Sequence, residues 1–223
     1  MAVILIDFMG SPNIGVYSLA TENYVLVPIG LQRSKIKKLE DCLKVTSIQT
    51  DICGSKLIGI MVVANSNGII VPKYTEDDEI KRISSIAKVN IEKIDSKMTA
   101  LRNLILANDY GAVVSPLLMR NRSELATIRD ILGVETDIGE IAGSPYVGSL
   151  GVTTNKGALV NPHIKDEEKR KLAEILKVPI YTGTINGGVP IISSGLMANT
   201  SGAAVGFITS GSELFTISNA LEV

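Results

Sequence analysis

Asn65-Ser66-Asn67-Gly68-Ile69-Ile70-Val71-Pro72 joins a polar turn to a short apolar run that ends at a proline, and the chain repeats this phrase. It returns as Asn108-Asp109-Tyr110-Gly111-Ala112-Val113-Val114-Ser115-Pro116 and as Thr154-Asn155-Lys156-Gly157-Ala158-Leu159-Val160-Asn161-Pro162. A further copy is Asn199-Thr200-Ser201-Gly202-Ala203-Ala204-Val205-Gly206, and a degenerate first one is Thr21-Glu22-Asn23-Tyr24-Val25-Leu26-Val27-Pro28. The closing positions 28, 72, 116, 162 and 206 stand 44, 44, 46 and 44 residues apart. A fixed period in the range of about 20–50 residues marks an architecture made by copying one supersecondary unit. Five units nearly exhaust the 223 residues.

The second unit shows what is copied. Lys56–Ala64 is a nearly continuous apolar run, the pattern of a strand buried on both faces. The Asn-Gly turn that follows suits positive φ in a tight hairpin, and Ile69–Val71 is the returning strand, ended by Pro72. Thr75-Glu76-Asp77-Asp78 resembles a capping box. Ile80, Ile83 and Ile86 then form a helical stripe that leaves Lys81, Arg82 and Ser84 to solvent, and Asn90–Ile94 is a third strand. Equivalent stripes are Ile36, Leu39 and Leu43; Leu125, Ile128 and Leu132; Leu172, Ile175 and Leu176; and Leu214, Ile217 and Leu221. Ser123 and Ser212, each followed by Glu, are expected N-caps. Third strands are expected at Val45–Gln49, Val134–Ile138 and Val178–Thr182.

The fifth unit has no third strand, whereas the chain starts with a spare one, Ala2–Asp7. We expect that strand to complete the fifth unit, removing the open edge of the array. The expected organisation is a single domain, 1–223, with repeats at about 9–50, 51–95, 96–139, 140–184 and 185–223 plus strand 2–7.

Composition limits function. Hydrophobic residues make up 45% and charged residues 20%, far from the signature of disorder. No apolar run reaches the roughly 18–20 residues needed to span a bilayer, and the start is too short and too little basic for a secretory leader. With 22 basic and 23 acidic residues the net charge of −1 provides no global pull on nucleic acid. Local basic clusters, Arg33-Lys35-Lys37-Lys38 and Arg120-Arg122, read first as solvated faces. Two cysteines, Cys42 and Cys53, form no metal-ligand or disulfide framework and suggest free thiols in a reducing cytoplasm. No P-loop, dinucleotide fingerprint or metal cluster is present, so no cofactor or metal is expected.

Several segments, taken in order, resemble the translation initiation factor 6 family. They are Asn13-Ile14-Gly15-Val16, Gly68–Pro72, Thr99-Ala100-Leu101-Arg102-Asn103, Asn108-Asp109-Tyr110, Tyr146-Val147-Gly148-Ser149 and Asn155–Pro162. Two positions depart from the family pattern: Arg102 stands where the family often has Gly, and Asn161 where His commonly precedes the Pro. The end of the chain just after the fifth helix resembles the archaeal branch. The resemblance implies an α/β fold of the pentein (α/β propeller) type, five strand-strand-helix-strand repeats about a pseudo-fivefold axis. It implies binding to the joining face of the large ribosomal subunit, at a ribosomal protein close to the sarcin–ricin loop of the rRNA. It further implies steric prevention of premature association with the small subunit, a part in large-subunit maturation, and release by a translational GTPase with an accessory protein.

Other pentein proteins are enzymes of guanidino compounds, such as deiminases and amidinotransferases, which need a thiolate, a His and carboxylates around the axial channel. Here the one histidine, His163, reads as a solvated loop residue, the C-terminal unit has no Cys, and Ser193-Ser194-Gly195 and Ser210-Gly211-Ser212 read as turn and cap residues. A binding protein rather than an enzyme is expected, with an axial hole that is structural or filled with solvent. The turns, gathered on one rim, are the expected docking surface. Asn108, Asp109 and Tyr110 lead, since Tyr is a rigid amphipathic anchor. Asn65, Asn67, Asn155 and Lys156 follow, with Gly15 and Ile60 near the contact. The competing reading is that the turn asparagines serve unusual backbone angles. A cytoplasmic monomer that docks mainly on protein is expected, with no membrane partner.

Overall fold

The computed structural model describes residues 3–118 and 122–223, the side chains of residues 122–124 excepted. Among these residues it contains five separate three-stranded sheets, which do not merge into a barrel. The first is built from β2 (Leu19–Ala20), β3 (Tyr24–Pro28) and β4 (Thr46–Thr50), the second from β5 (Val63–Ala64), β6 (Gly68–Pro72) and β7 (Asn90–Ile94). The third contains β8 (Ile105–Ala107), β9 (Gly111–Val114) and β10 (Glu135–Ile138), and the fourth β11 (Gly151–Thr153), β12 (Ala158–Val160) and β13 (Ile180–Thr182). In each, an antiparallel hairpin is followed by a crossover helix and a parallel third strand.

The fifth sheet joins the two ends of the chain. β14 (Leu196–Asn199) and β15 (Gly202–Gly206) form its hairpin, and β1 (Val3–Ile6) lies parallel to β15 with Val3 opposite Ala203 and Ile6 opposite Gly206. The spare N-terminal strand therefore takes the place of the missing third strand, as its position in the repeat predicts.

The crossover helices α2 (Arg33–Leu43), α4 (Asp77–Ala87), α6 (Arg122–Leu132), α7 (Asp166–Leu176) and α9 (Gly211–Leu221) each pack against the sheet of the preceding repeat. Thus α4 touches β4, α6 touches β6, α7 touches β9, α9 touches β12, and α2 closes the circuit on β15. The cores lie at these junctions. One cluster joins Ile36, Leu39 and Leu43 of α2 to Ile6, Met197 and Ala204 of the fifth sheet. No repeat buries its apolar face alone, which is why the unit must be copied. This is the α/β-propeller architecture that the resemblance implied.

Several expectations are corrected. The apolar run at Lys56–Ala64 is not one strand: a single helical turn, α3 (Ile58–Met61), precedes the two-residue β5. An unbroken apolar run of this length carries no periodicity that separates strand from buried helix. Equivalent turns are α1 (Ile14–Tyr17), α5 (Leu101–Leu104) and α8 (Ile192–Gly195). Ile86 is 45% exposed, off the buried face that Ile83 occupies. The cap of α4 is Glu76 rather than Thr75, and that of α9 is Ser210 rather than Ser212. The reason is a glutamate three positions into each helix. Glu79 accepts from the backbone N–H of Glu76 and also from Cys53 and Gly54, so one carboxylate ties the helix start to a distant turn. Glu168 does the same for Lys165, Ala142 and Gly143, and Glu213 for Ser210, Gly187 and Gly188. The expected cap at Ser123 and the cluster Arg120-Arg122 lie outside the residues and side chains described.

Candidate functional site: a collar of turns

The five hairpin turns do gather around one end of an axial passage. Thr21, Glu22, Asn65, Asn108, Asp109, Thr154 and Asn155 surround that end. Ala20, Ala64, Ala107, Thr153 and Ala198 line the strands leading inward, which brings the opposite end to α1, α3, α5 and α8. Their small side chains allow five inner strands to converge.

Asn65 and Asn108 are turned inward, 3% and 4% exposed. The Asn65 carboxamide oxygen accepts from the N–H of Asn67 and Gly68, closing its own turn. Its Nδ2 donates to the Asn108 carbonyl at 3.2 Å and to Leu132, the last residue of α6, at 2.8 Å. Asn108 repeats the arrangement one unit on, with Tyr110 and Gly111 donating to Oδ1 and Nδ2 donating to Thr154 at 3.1 Å and Leu176 at 2.9 Å. Asn199 does so again toward Thr21 and Leu43. Each Asn thus satisfies orphan carbonyls at the end of the next repeat's helix. Unusual backbone angles do not explain them: none of these asparagines has positive φ, and neither do the glycines that follow. Gly68 and Gly111 are required because a Cβ would collide with the Ile131 and Ile175 carbonyls of the next helix.

The outer side chains link turn to turn. Asp109 accepts from the Ser66 N–H and hydroxyl, both at 2.8 Å, and from Asn155 Nδ2 at 2.7 Å. Lys156 Nζ donates to the Thr200 carbonyl at 3.0 Å, and Glu22 accepts from the Thr200 N–H and hydroxyl. The circuit closes where the Tyr24 hydroxyl, its pKa pushed up by burial, reaches the Asn65 carbonyl at 3.5 Å. Glu22, Thr200 and Tyr24 were not among the expected residues. Their partners lie in other repeats, and no local pattern announces them.

Of the expected docking residues, Asn67, Asp109, Tyr110, Asn155 and Lys156 come together at this rim, wholly or partly exposed, with Tyr110 at 44%. Gly15, buried on α1, and Ile60, partly buried on α3, lie with the short helices at the passage's other end. His163 is exposed. Burial raises the pKa of both thiols, Cys42 on the apolar face of α2 and Cys53 in a turn, which opposes nucleophilic thiolates. The Ser193, Ser194 and Ser210 hydroxyls bond to Ser149 O, Ile191 O and the Glu213 carboxylate. Among the described residues no cluster of His, Cys, Asp and Glu could hold a metal ion, and no helix is long and apolar enough to cross a membrane.

Residues 3–220 match the family model described as the eIF-6 family. A relative named translation initiation factor 6 from Pyrococcus abyssi is 45% identical, with 99% of each chain covered. One of the same name from Methanocaldococcus jannaschii is 43% identical over 96% of this chain and 95% of its own. A crystal structure of dimethylarginine dimethylaminohydrolase is similar over 82% of this chain and 69% of its own, at 10% identity and a TM-score of 0.48, too loose a likeness to bear on chemistry.

Proposed function

We infer the function from one premise: this chain belongs to the eIF-6 family, and its role is that of a translation factor. The finer reading is that it binds the joining face of the large ribosomal subunit and keeps the small subunit from associating prematurely, with a part in large-subunit maturation. The partner is a ribosomal protein of that face near the sarcin–ricin loop, and release is by a translational GTPase with its accessory protein. The protein acts in the cytoplasm, by occupying a surface rather than by catalysis.

The observation that carries this reading is the closed collar. Docking by steric exclusion needs a surface that is held rigid before the partner arrives, since ordering loops on binding costs affinity. Hydrogen bonds from every turn to the next supply that rigidity and leave Asn67, Tyr110 and Lys156 facing outward. Asp109 and Asn155 fix the turns and present their remaining polar surface. With a net charge of −1 the contact is mainly with protein.

Co-sedimentation of the purified protein with separated ribosomal subunits tests the reading. Binding to the large subunit alone is expected, together with inhibition of subunit joining. Binding to the small subunit, or to neither, defeats it.

A further inference from the structure

The short helices α1, α3, α5 and α8 and the equivalent turn at 147–149 surround the inner end of the passage, and their second residues are Gly15, Gly59, Arg102, Ser193 and Gly148. Three are glycines for a steric reason: a Cβ would collide with the neighbouring repeat's carbonyl, Ser193 for Gly15, Gly15 for Gly59 and Arg102 for Gly148. In the third repeat an arginine, Arg102, occupies this place and lines the passage.

Its charge has no counterpart among the described residues. Among the described residues no carboxylate lies within ion-pair distance of Arg102, and its one hydrogen bond is from Nη1 to the Gly148 carbonyl at 3.0 Å. A guanidinium has five N–H donors and does not give up its proton in proteins. Burial lowers the pKa of Arg102 only to about 10, so the cation persists at neutral pH. Arg102 is partly buried, and a charge drawn even partly out of water without a partner is costly. A second group in the passage points the same way. Ser18, 2% exposed at the end of α1, has a buried hydroxyl with no hydrogen-bond partner.

We propose that the inner passage binds one small monovalent anion of chloride size between the guanidinium of Arg102 and the hydroxyl of Ser18. The donors left over select an anion. The Ser193 hydroxyl is spent on Ser149 O and that of Thr153 on Thr154 O, whereas Arg102 and Ser18 keep unused N–H and O–H groups. The carboxylates of the passage, Glu22 and Asp109, sit at the turn end and are committed to Thr200, Ser66 and Asn155. The cavity of about 30 Å³ exceeds the ~10–15 Å³ that one water requires, so a monatomic halide fits. A water molecule would satisfy Ser18 without compensating the charge. The anion serves as the counter-ion that lets an arginine stand in a ring of glycines, and this holds whether or not the protein docks on ribosomes.

Crystals of the full chain grown with bromide in place of chloride test the site directly. An anomalous bromide peak in contact with the Arg102 guanidinium and the Ser18 hydroxyl is expected; its absence from the passage overturns the proposal, as does a tetrahedral sulfate found there instead. In solution, exchanging gluconate for chloride at constant ionic strength is expected to raise Tm along a saturating curve. Ser18→Ala should weaken the apparent halide affinity several-fold, and Arg102→Met should abolish the effect. An equal response to gluconate, or a halide response that survives in Arg102→Met, overturns the proposal. If Arg102→Met does not fold, the bromide map of the parent chain decides.

Discussion

Asn65 Nδ2 lies 2.8 Å from the carbonyl oxygen of Leu132, so a side chain in one repeat caps the helix of the next. The same reach recurs from Asn108 to Leu176 and from Asn199 to Leu43. The collar is therefore held together by the residues that a sequence reading places among the contacts to a partner.

Asn65→Ala and Asn108→Ala should each cost stability by roughly 2–3 kcal/mol, because each truncation strands one buried carbonyl, of Asn108 or Leu176, and two turn N–H groups, while Asn67 still serves Leu132 and the Thr153 hydroxyl still serves Thr154. Urea unfolding reads this out. A change below about 0.5 kcal/mol, the usual range for surface substitutions, would remove the stapling role.

Tyr110→Ala should separate docking from folding. Tyr110 N–H bonding is through the backbone, so the side chain can be removed with little effect on unfolding. Large-subunit affinity should fall more than tenfold, about 1.4 kcal/mol, in a sedimentation titration. Unchanged affinity would move the interface to another face. Raising salt from low to moderate levels should weaken binding only slightly, given a contact dominated by protein.

Acid should loosen the helix starts. Desolvation alone would raise the Glu213 pKa, but the Ser210 N–H, the Thr184 hydroxyl and the Gly188 N–H outweigh it and hold the carboxyl near about 2. Its folded pKa is depressed, so its contribution is complete above the unfolded value near 4.5 and is lost as pH falls from there toward 2. Glu168 shifts in the same direction. Glu213→Gln should cost on the order of 2–3 kcal/mol at pH 7 and flatten the pH dependence of Tm below about 4.5. A variant as acid-sensitive as the parent would count against this account.

Helix ends offer a gain. Lys44, Lys88 and Lys177 follow their helices with φ of 57°, 51° and 55°, the left-handed region that favours glycine, while α6 already ends on Gly133 at 62°. Lys88→Gly should stabilise by about 0.5–1 kcal/mol after allowing for the greater chain entropy of glycine. Thermal unfolding gives the sign.

The repeat and the role of the N-terminal strand were both legible in sequence, since a 44-residue echo and one absent strand need no long-range information. The capping glutamates were half legible. Their position is local, but the turns they hold, such as Cys53-Gly54 against Glu79, lie 26 and 25 residues away. The inter-repeat bonds of the asparagines are not legible in sequence for the same reason. Asn65 and Leu132 are 67 residues apart, and a turn-forming residue and an inter-repeat staple look alike in a single copy. Thr21 and Thr154 hold the equivalent places, close their own turns through Oγ1, and lack the donor that reaches a neighbouring helix. That substitution was visible all along, and only geometry gives it meaning.

The pairing of Val3 with Ala203 has a consequence in time. Synthesis delivers β1 some two hundred residues before β15, so although α2 can pack on it early, β1 waits that long for its strand partner. Closing so large a loop is slow, although its entropic cost grows only with the logarithm of its length. Until then the nascent chain is an unclosed arc, and the fifth sheet is completed only by a meeting of parts made far apart in time.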